Sequence, residues 1–234
     1  MRERKVWETL VLRQAALTTA DDINALLQTA AVPQGSPLAD SVLRGVRPEP
    51  AQPVRPWTRG YERALELRQT LGWGDEPAPD LAAWMLAHNI NVQGPRLPRQ
   101  VDVVACRTED GRAVAAINSG SLSPVRLETG LAAALGHILM DPDGVAVDGE
   151  AEHWPSAARA RAFGVMLLLP EDGLRSMLGG RRSLDADAVR EVMDRFKVGP
   201  YATTFHLRTL GFVSAERGEW LLQELVGRRG SAPV

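Results

Sequence analysis

The stretch that decides the fold reads Leu131-Ala132-Ala133-Ala134-Leu135-Gly136-His137. It lies within a longer segment that predicts a helix, beginning at Ser123-Pro124 and running to about Met140. Asp141-Pro142-Asp143-Gly144 follows, and this turn-forming sequence predicts the end of the helix. Strand-like segments precede the helix, so a site for chemistry is expected where the helix meets a sheet.

The composition is that of a globular protein with little net charge. The chain has 234 residues, 44% of them hydrophobic, and a formal net charge of -2, so no global field favours nucleic acid or an acidic membrane. Cys106 is the single cysteine, which excludes an intrachain disulfide and fits a reducing compartment. There is no apolar run of membrane-spanning length and no signal-peptide pattern at the N-terminus. We expect a soluble cytoplasmic protein without a membrane partner.

The chain divides into three regions by composition. Residues 1–46 predict an N-terminal helical region, with one helix over 20–29 that carries Asp21 and Asp22 in its first turn. Residues 47–56 contain four prolines and predict a linker. Residues 57–228 predict the main domain.

The main domain is expected to be α+β, because helical segments flank a short run of strands. Strands are predicted at 90–92, 101–107 and 112–118, the last two as a hairpin around Glu109-Asp110-Gly111. Helices are predicted on both sides of these strands, at 57–71, 81–88, 124–140, from Pro155 to before Pro170, from Pro170 onward, and at 185–196, 200–210 and 216–225.

The spacing around His137 is that of a metal-binding helix with two substitutions. Zinc peptidases place His-Glu-x-x-His on a helix, where two histidines one turn apart bind zinc and the glutamate acts as general base. His137 takes the place of the second histidine. Ala133 stands at the first histidine and Ala134 at the base, and neither side chain can bind zinc or accept a proton.

The order of several short motifs resembles the ImmA/IrrE family of zinc metallopeptidases over roughly residues 57–214. Relatives of that family cleave helix-turn-helix repressors in mobile elements and stress responses, and the resemblance implies a zincin-like fold with a helical tail. The motifs that carry it are Arg59-Gly60-Tyr61-Glu62-Arg63-Ala64, Asp80-Leu81-Ala82, Ala115-Ala116-Ile117-Asn118-Ser119, Leu122-Ser123-Pro124, Leu131 to His137, Ala160, Phe163, Leu167-Leu168-Leu169-Pro170, Phe196-Lys197-Val198-Gly199-Pro200, Leu207 and Leu210-Gly211-Phe212-Val213-Ser214.

The departures from that family fall on its catalytic residues. The third zinc ligand of the family, a glutamate, corresponds to Ala157, so only His137 of the four key positions is kept. One imidazole is too few ligands for a zinc site, so no metal and no other cofactor is expected. Gly164 and Glu128 also differ from the usual family residues, and drift on this scale favours natural degeneration over deliberate inactivation.

Candidate groove residues are expected around the place where the resembled family binds its zinc ion. They are His137, Glu152, His153 and Trp154, where Trp154 is a side chain that could fill the space left by the lost ligands. Glu150, Glu152 and His153 could also form a displaced metal cluster with His137, although a polar loop is the simpler interpretation. The hairpin at 101–118 is the candidate edge for an added peptide strand.

Three functions follow from these observations. The first is a catalytically inactive, ImmA/IrrE-like pseudo-peptidase that binds a helix-turn-helix repressor or another mobile-element or stress-response partner. The second is a zinc endopeptidase present here in an inactivated form, which would need zinc. The third is a DNA-binding regulator in which residues 1–46 are the remnant of a helix-turn-helix domain. Five basic and five acidic residues in 1–46 argue against DNA.

Overall fold

Eight helices and four strands make up the part of the chain that the computed structural model describes, residues 56–97, 101–107, 113–118, 120, 124–141, 145–148, 155–181 and 183–227. In chain order they are α1 (Pro56–Leu71), α2 (Leu81–Ala87), β1 (Ile90–Gln93), β2 (Val103–Arg107), β3 (Ala113–Ile117), α3 (Pro124–Met140), β4 (Val145–Asp148), α4 (Pro155–Leu168), α5 (Glu171–Leu178), α6 (Ala186–Phe196), α7 (Pro200–Thr209) and α8 (Ala215–Gly227). The predicted α+β class is confirmed. The predicted helix at 20–29, the linker at 47–55 and the hairpin turn at 109–111 lie outside the described residues.

The sheet has the strand order β1-β3-β2-β4. β2 and β3 are antiparallel, with Ala105 opposite Ala115, which confirms that the two predicted strands pair. β1 is parallel to β3, and β4 is antiparallel to β2, with Ala105 opposite Ala146. The prediction that the hairpin at 101–118 supplies a free edge is therefore wrong. β2 and β3 are the two inner strands, because the unpredicted strand β4 covers the outer side of β2.

The core lies between the sheet and a layer of helices. α3 packs on β2 and β3, α4 packs on α3, and α1 packs on α4. Leu131, Leu135 and Ile138 of α3 are each at most 1% exposed and share the apolar core with Phe163 of α4. Because nearly every side chain from 131 to 139 is buried, α3 is a central helix with no broad solvent face.

Three glycines allow the central helices to approach closely. A Cβ atom on Gly60 of α1 would lie 2.2 Å from the carbonyl oxygen of Arg159 in α4. A Cβ on Gly136 of α3 would lie 3.1 Å from Cα of Ala160, and one on Gly164 of α4 would lie 3.0 Å from the backbone nitrogen of Ala133. α1, α3 and α4 are thus in backbone contact, and larger side chains at these positions would separate them.

A buried arginine joins the ends of α1 and α4. Arg68 is 2% exposed, and its guanidinium donates to the carbonyl oxygens of Leu167 at 2.5 Å and Gly74 at 2.8 and 3.0 Å, and also to that of Glu76. Burial lowers its pKa to about 10, so it stays charged at neutral pH. The cation satisfies carbonyls at the C-terminal end of α4, where a positive charge is favoured.

Helix positions agree with the sequence to within about two residues. α3 has the predicted bounds, and α1 begins at Pro56, one residue earlier than predicted and inside the segment assigned to the linker. Gly72 and Gly74, with φ of 68° and 54°, end α1 in the left-handed conformation that glycine tolerates. Among the described residues, no helix is long and apolar enough to cross a membrane.

Candidate functional site

An open groove of about 790 Å³ lies where α1, α3, α4, α7 and the start of β2 meet. Its volume is within the range of ligand-binding clefts, and its lining is predominantly apolar. The lining residues are Trp57, Tyr61, Asp102, Val103, Arg126, Thr129, Gly130, Ala133, Ala158, Arg161, Ala162, Val165, Tyr201, Ala202, Phe205 and Thr209.

Small residues form much of the surface that α3 and α4 contribute. Gly130 and Ala133 come from α3, and Ala158 and Ala162 come from α4. Short side chains on two adjacent helices leave a depression, because the neighbouring aromatic side chains extend beyond them. Ala133 is therefore one of the residues that open the groove, at the position that the family resemblance assigns to the first zinc ligand.

Aromatic side chains from α1 and α7 stand beside this depression. Tyr201 is 68% exposed, Phe205 is 62% exposed and Trp57 is 44% exposed. Tyr201 and Phe205 are four residues apart and so lie on one face of α7. Large exposed aromatic groups next to an apolar cleft are characteristic of protein-binding surfaces.

Charged groups are few in the groove. Arg126 is half exposed and its Nη2 lies 3.6 Å from Oδ2 of Asp102. Arg161 is exposed on α4. Two arginines and one carboxylate give the lining an excess of one positive charge, which favours a ligand with acidic groups beside its apolar ones.

The position of α7 is fixed from behind by a buried histidine. His206 is 0% exposed, and its Nε2 lies 2.9 Å from the carbonyl oxygen of Leu169. A carbonyl only accepts, so Nε2 carries the proton and Nδ1 accepts from the hydroxyl of Tyr61 at 3.2 Å. Burial lowers the pKa of His206 to about 4, and burial also raises the pKa of Tyr61.

The four positions that the resemblance matches to the zinc-peptidase motif have different surroundings. Ala133 lines the groove, whereas Ala134 is 0% exposed within the apolar core. Ala157 is 1% exposed on α4. His137 is 2% exposed and is not among the described residues that line the groove. Ala134, at the position matched to the general base, is thus a core residue whose methyl group needs no polar partner.

His137 takes part in a buried polar array at the C-terminal end of α3. Its Nδ1 donates to Oδ2 of Asp141 at 2.8 Å, and Arg159 of α4 donates to the other carboxylate oxygen of Asp141. No described residue is a hydrogen-bond partner for Nε2 of His137. A carboxylate behind Nδ1 is the arrangement that orients metal-bound histidines, with Nε2 left for the metal. One imidazole supplies one donor, and a zinc site needs three or four.

Glu150, Glu152, His153 and Trp154 lie outside the described residues, so the displaced cluster and the filling of the vacated space by Trp154 stay predictions. Within the described ranges, no group of three or more His, Cys, Asp or Glu side chains is placed to hold a metal ion.

Sequence reasoning did not select the aromatic groups that shape the groove. Tyr201 and Phe205 had a detectable signal, since they are aromatic residues one turn apart on a helix whose opposite face carries Thr203 and Leu207. Trp57 was not among the groove candidates chosen from the sequence either. Exposure distinguishes a surface aromatic from a core aromatic, and exposure depends on the tertiary packing.

Comparisons with known protein families and with curated proteins gave no match to this chain.

Proposed function

We propose that this protein is a catalytically inactive, ImmA/IrrE-like pseudo-peptidase with a zincin-like fold, which binds a protein partner in the groove beside Ala133. The partner class is a helix-turn-helix repressor, or a related protein of a mobile element or stress response. The observation that carries the proposal is the apolar groove itself, lined by Ala133 and by the exposed rings of Trp57, Tyr201 and Phe205.

The polar array around His137 supports descent from a metal-binding helix. Asp141 orients the imidazole through Nδ1, and Nε2 has no hydrogen-bond partner among the described residues. That combination suits a metal ligand better than a core histidine, since core histidines generally use both nitrogens. A helix of this kind, a four-stranded sheet and a following helix at Ala157 fit the proposed ancestry.

The donor set argues against a peptidase as the present activity. Ala133, Ala134 and Ala157 contribute methyl groups where two ligands and a general base would be required. The groove has an aromatic and apolar lining instead, which is suited to holding a side-chain cluster or a helix face of a partner.

Affinity capture with the purified full chain tests the binding proposal. Wild-type protein is expected to capture a helix-turn-helix protein from cells of the source organism, identified by mass spectrometry and shown to rebind in purified form. Phe205→Asp should abolish the rebinding, because it places a charge at the centre of the aromatic surface. Trp220→Asp is the matched control, since Trp220 is 42% exposed on α8 and does not line the groove.

The outcomes separate the proposal from non-specific adhesion. Equal binding by the wild-type chain and Phe205→Asp would contradict the groove as the binding site. Equal loss in both variants would mean that general surface hydrophobicity explains the capture, and this too would refute the proposal.

Elemental analysis tests the inactivated-peptidase alternative. We expect well below one zinc per purified chain. The triple variant Ala133→His, Ala134→Glu, Ala157→Glu restores the family residues, and stoichiometric zinc together with repressor cleavage in that variant would favour an inactivated enzyme over a binding protein. Failure of the folded triple variant to bind zinc supports the pseudo-peptidase.

A further inference from the structure

The groove opens next to the point where residues 1–55 join the described part of the chain. Trp57 lines the groove, and it directly follows Pro56, the first described residue. Any segment within residues 1–55 is therefore tethered at the wall of the groove. A tethered segment meets a neighbouring site at an effective concentration of about 1 mM, far above that of most free ligands.

One segment of that region has the chemistry that the groove favours. The sequence predicts a helix over 20–29, in which Ile23, Leu26 and Leu27 are spaced i, i+3 and i+4 and so share one face. Asp21 and Asp22 lie at its start. The segment thus combines an apolar stripe with two acidic groups. The groove combines an apolar lining with Arg126, Arg161 and Asp102, a net excess of one positive charge.

Length permits the contact. A helix of ten residues is about 15 Å long, which suits a groove between helices. Residues 30–55 connect this segment to Pro56, and 26 residues span up to about 85 Å when extended. The tether is therefore long enough to let the segment turn back onto the groove beside Trp57.

We infer that residues 20–29 occupy the groove as an intramolecular ligand, with Ile23, Leu26 and Leu27 toward Tyr201 and Phe205, and that a partner must displace them. This inference rests on the proposed function, because both assign the groove to an amphipathic protein segment. It adds regulation, since the affinity for an external partner is reduced by the fraction of chains in which the groove is occupied.

Thiol labelling in the full chain measures the occupancy. Ala202 lines the groove and is half-buried, and the Ala202→Cys thiol reports on solvent access there. Cys106 is 5% exposed and burial raises its pKa to about 11, so the native thiol contributes little background. Ala83→Cys on α2 is the reference, since Ala83 is exposed and does not line the groove.

Two further substitutions form a matched pair in the Ala202→Cys background. Leu26→Glu places a carboxylate on the apolar stripe, whereas Gln28→Glu places the same charge on the opposite side of the predicted helix. We expect Leu26→Glu to raise the iodoacetamide labelling rate of Ala202→Cys by about tenfold, and Gln28→Glu to leave it unchanged. The labelling rate of Ala83→Cys should not respond to either substitution.

A synthetic peptide of residues 18–32 tests whether Leu26→Glu changes the labelling rate directly, through the loss of this segment from the groove. Added to the Ala202→Cys, Leu26→Glu chain, it should slow labelling again, and the same peptide carrying Leu26→Glu should not. Equal labelling rates with leucine and glutamate at position 26 would overturn the inference. The inference would also be overturned if labelling of Ala202→Cys slows as the protein concentration rises and does not depend on the residue at position 26. That result would assign the groove to a second copy of the chain.

The outcome is distinguishable from that of the proposed function. If Phe205→Asp abolishes capture of a helix-turn-helix protein but Leu26→Glu does not change the labelling of Ala202→Cys, the proposed function stands and the intramolecular ligand does not. If Leu26→Glu speeds the labelling of Ala202→Cys but no helix-turn-helix protein is captured, the intramolecular ligand stands and the proposed function does not.

Discussion

The hydroxyl of Tyr61 donates to Nδ1 of His206 over 3.2 Å, and their rings meet edge to face at 5.4 Å. Through this contact a residue of α1 that lines the groove holds α7, which also lines the groove. The other ring nitrogen of His206 donates to Leu169, just after the end of α4. The shape of the groove therefore depends on a buried histidine that never faces it.

Acid should weaken the fold through His206. Its folded pKa of about 4 lies below the ordinary value of 6.5, so the unfolded chain binds the proton more readily. The stabilisation is fully present above pH 6.5, is lost as the pH falls toward 4, and amounts to about 3 kcal/mol. Urea unfolding between pH 7 and pH 4 should show a free energy of unfolding that falls with pH in wild type and in His88→Gln. If the free energy of unfolding of His206→Gln falls with pH as steeply as that of wild type, the acid sensitivity belongs to other groups.

Removing the buried arginine should cost more than removing an exposed one. Arg68→Met leaves carbonyl oxygens of Leu167 and Gly74 without their donor, and we expect a loss of about 3–5 kcal/mol in the free energy of unfolding. Arg190→Met is the control, because Arg190 makes an exposed ion pair with Asp187 and should cost less than about 1 kcal/mol. Similar losses in the two variants, measured by chemical denaturation, would contradict the proposed role of Arg68.

A single methyl group should disturb the crossing of α1 and α4. Gly60→Ala places Cβ within 2.8 Å of two backbone atoms of α4, and overpacking of this kind costs about 1–3 kcal/mol or more. We expect the thermal midpoint to fall by at least about 3 °C. Gly180→Ala has nothing within 4 Å of the added atom and should leave the midpoint nearly unchanged. An unchanged midpoint in Gly60→Ala would mean that the two helices separate at little cost.

Introducing the residues of the resembled zinc-peptidase motif one at a time should have unequal effects on stability. Ala134→Glu puts a carboxylate into the apolar core and should cost several kcal/mol, about 3 or more. Ala133→His adds a side chain at the groove and should cost about 1 kcal/mol or less. Denaturant midpoints of the two variants check this order. The reverse order would place Ala134 at an accessible surface.

The thiol of Cys106 should react slowly in the folded chain. Its pKa of about 11 leaves very little thiolate at pH 8, so alkylation is expected to be on the order of 100-fold slower than in the urea-unfolded chain. Mass spectrometry of iodoacetamide-treated protein measures the rate. Comparable rates in the folded and unfolded chains would show that β2 opens readily to solvent.

Element types were predictable where a local pattern runs over several turns. α3 was predicted with its observed bounds because Pro124 marks its start and the sequence after Met140 marks its end. β4 was missed, because four residues are too few for an alternating pattern to stand out from a loop. That omission led directly to the wrong edge, since β4 is the strand that covers β2.

The sequence alone determined that positions 133, 134 and 157 carry no metal donor, because alanine cannot bind a metal in any fold. What the alanines do instead was decided by the tertiary structure. The close approach of α3 and α4 leaves Ala133 at a groove and Ala134 in the core. Tyr201 and Phe205 line the same groove although they lie more than sixty residues from Ala133 along the chain, on the helix that His206 anchors. Local spacing sets which face of a helix a residue occupies, and only packing between distant segments sets what that face meets.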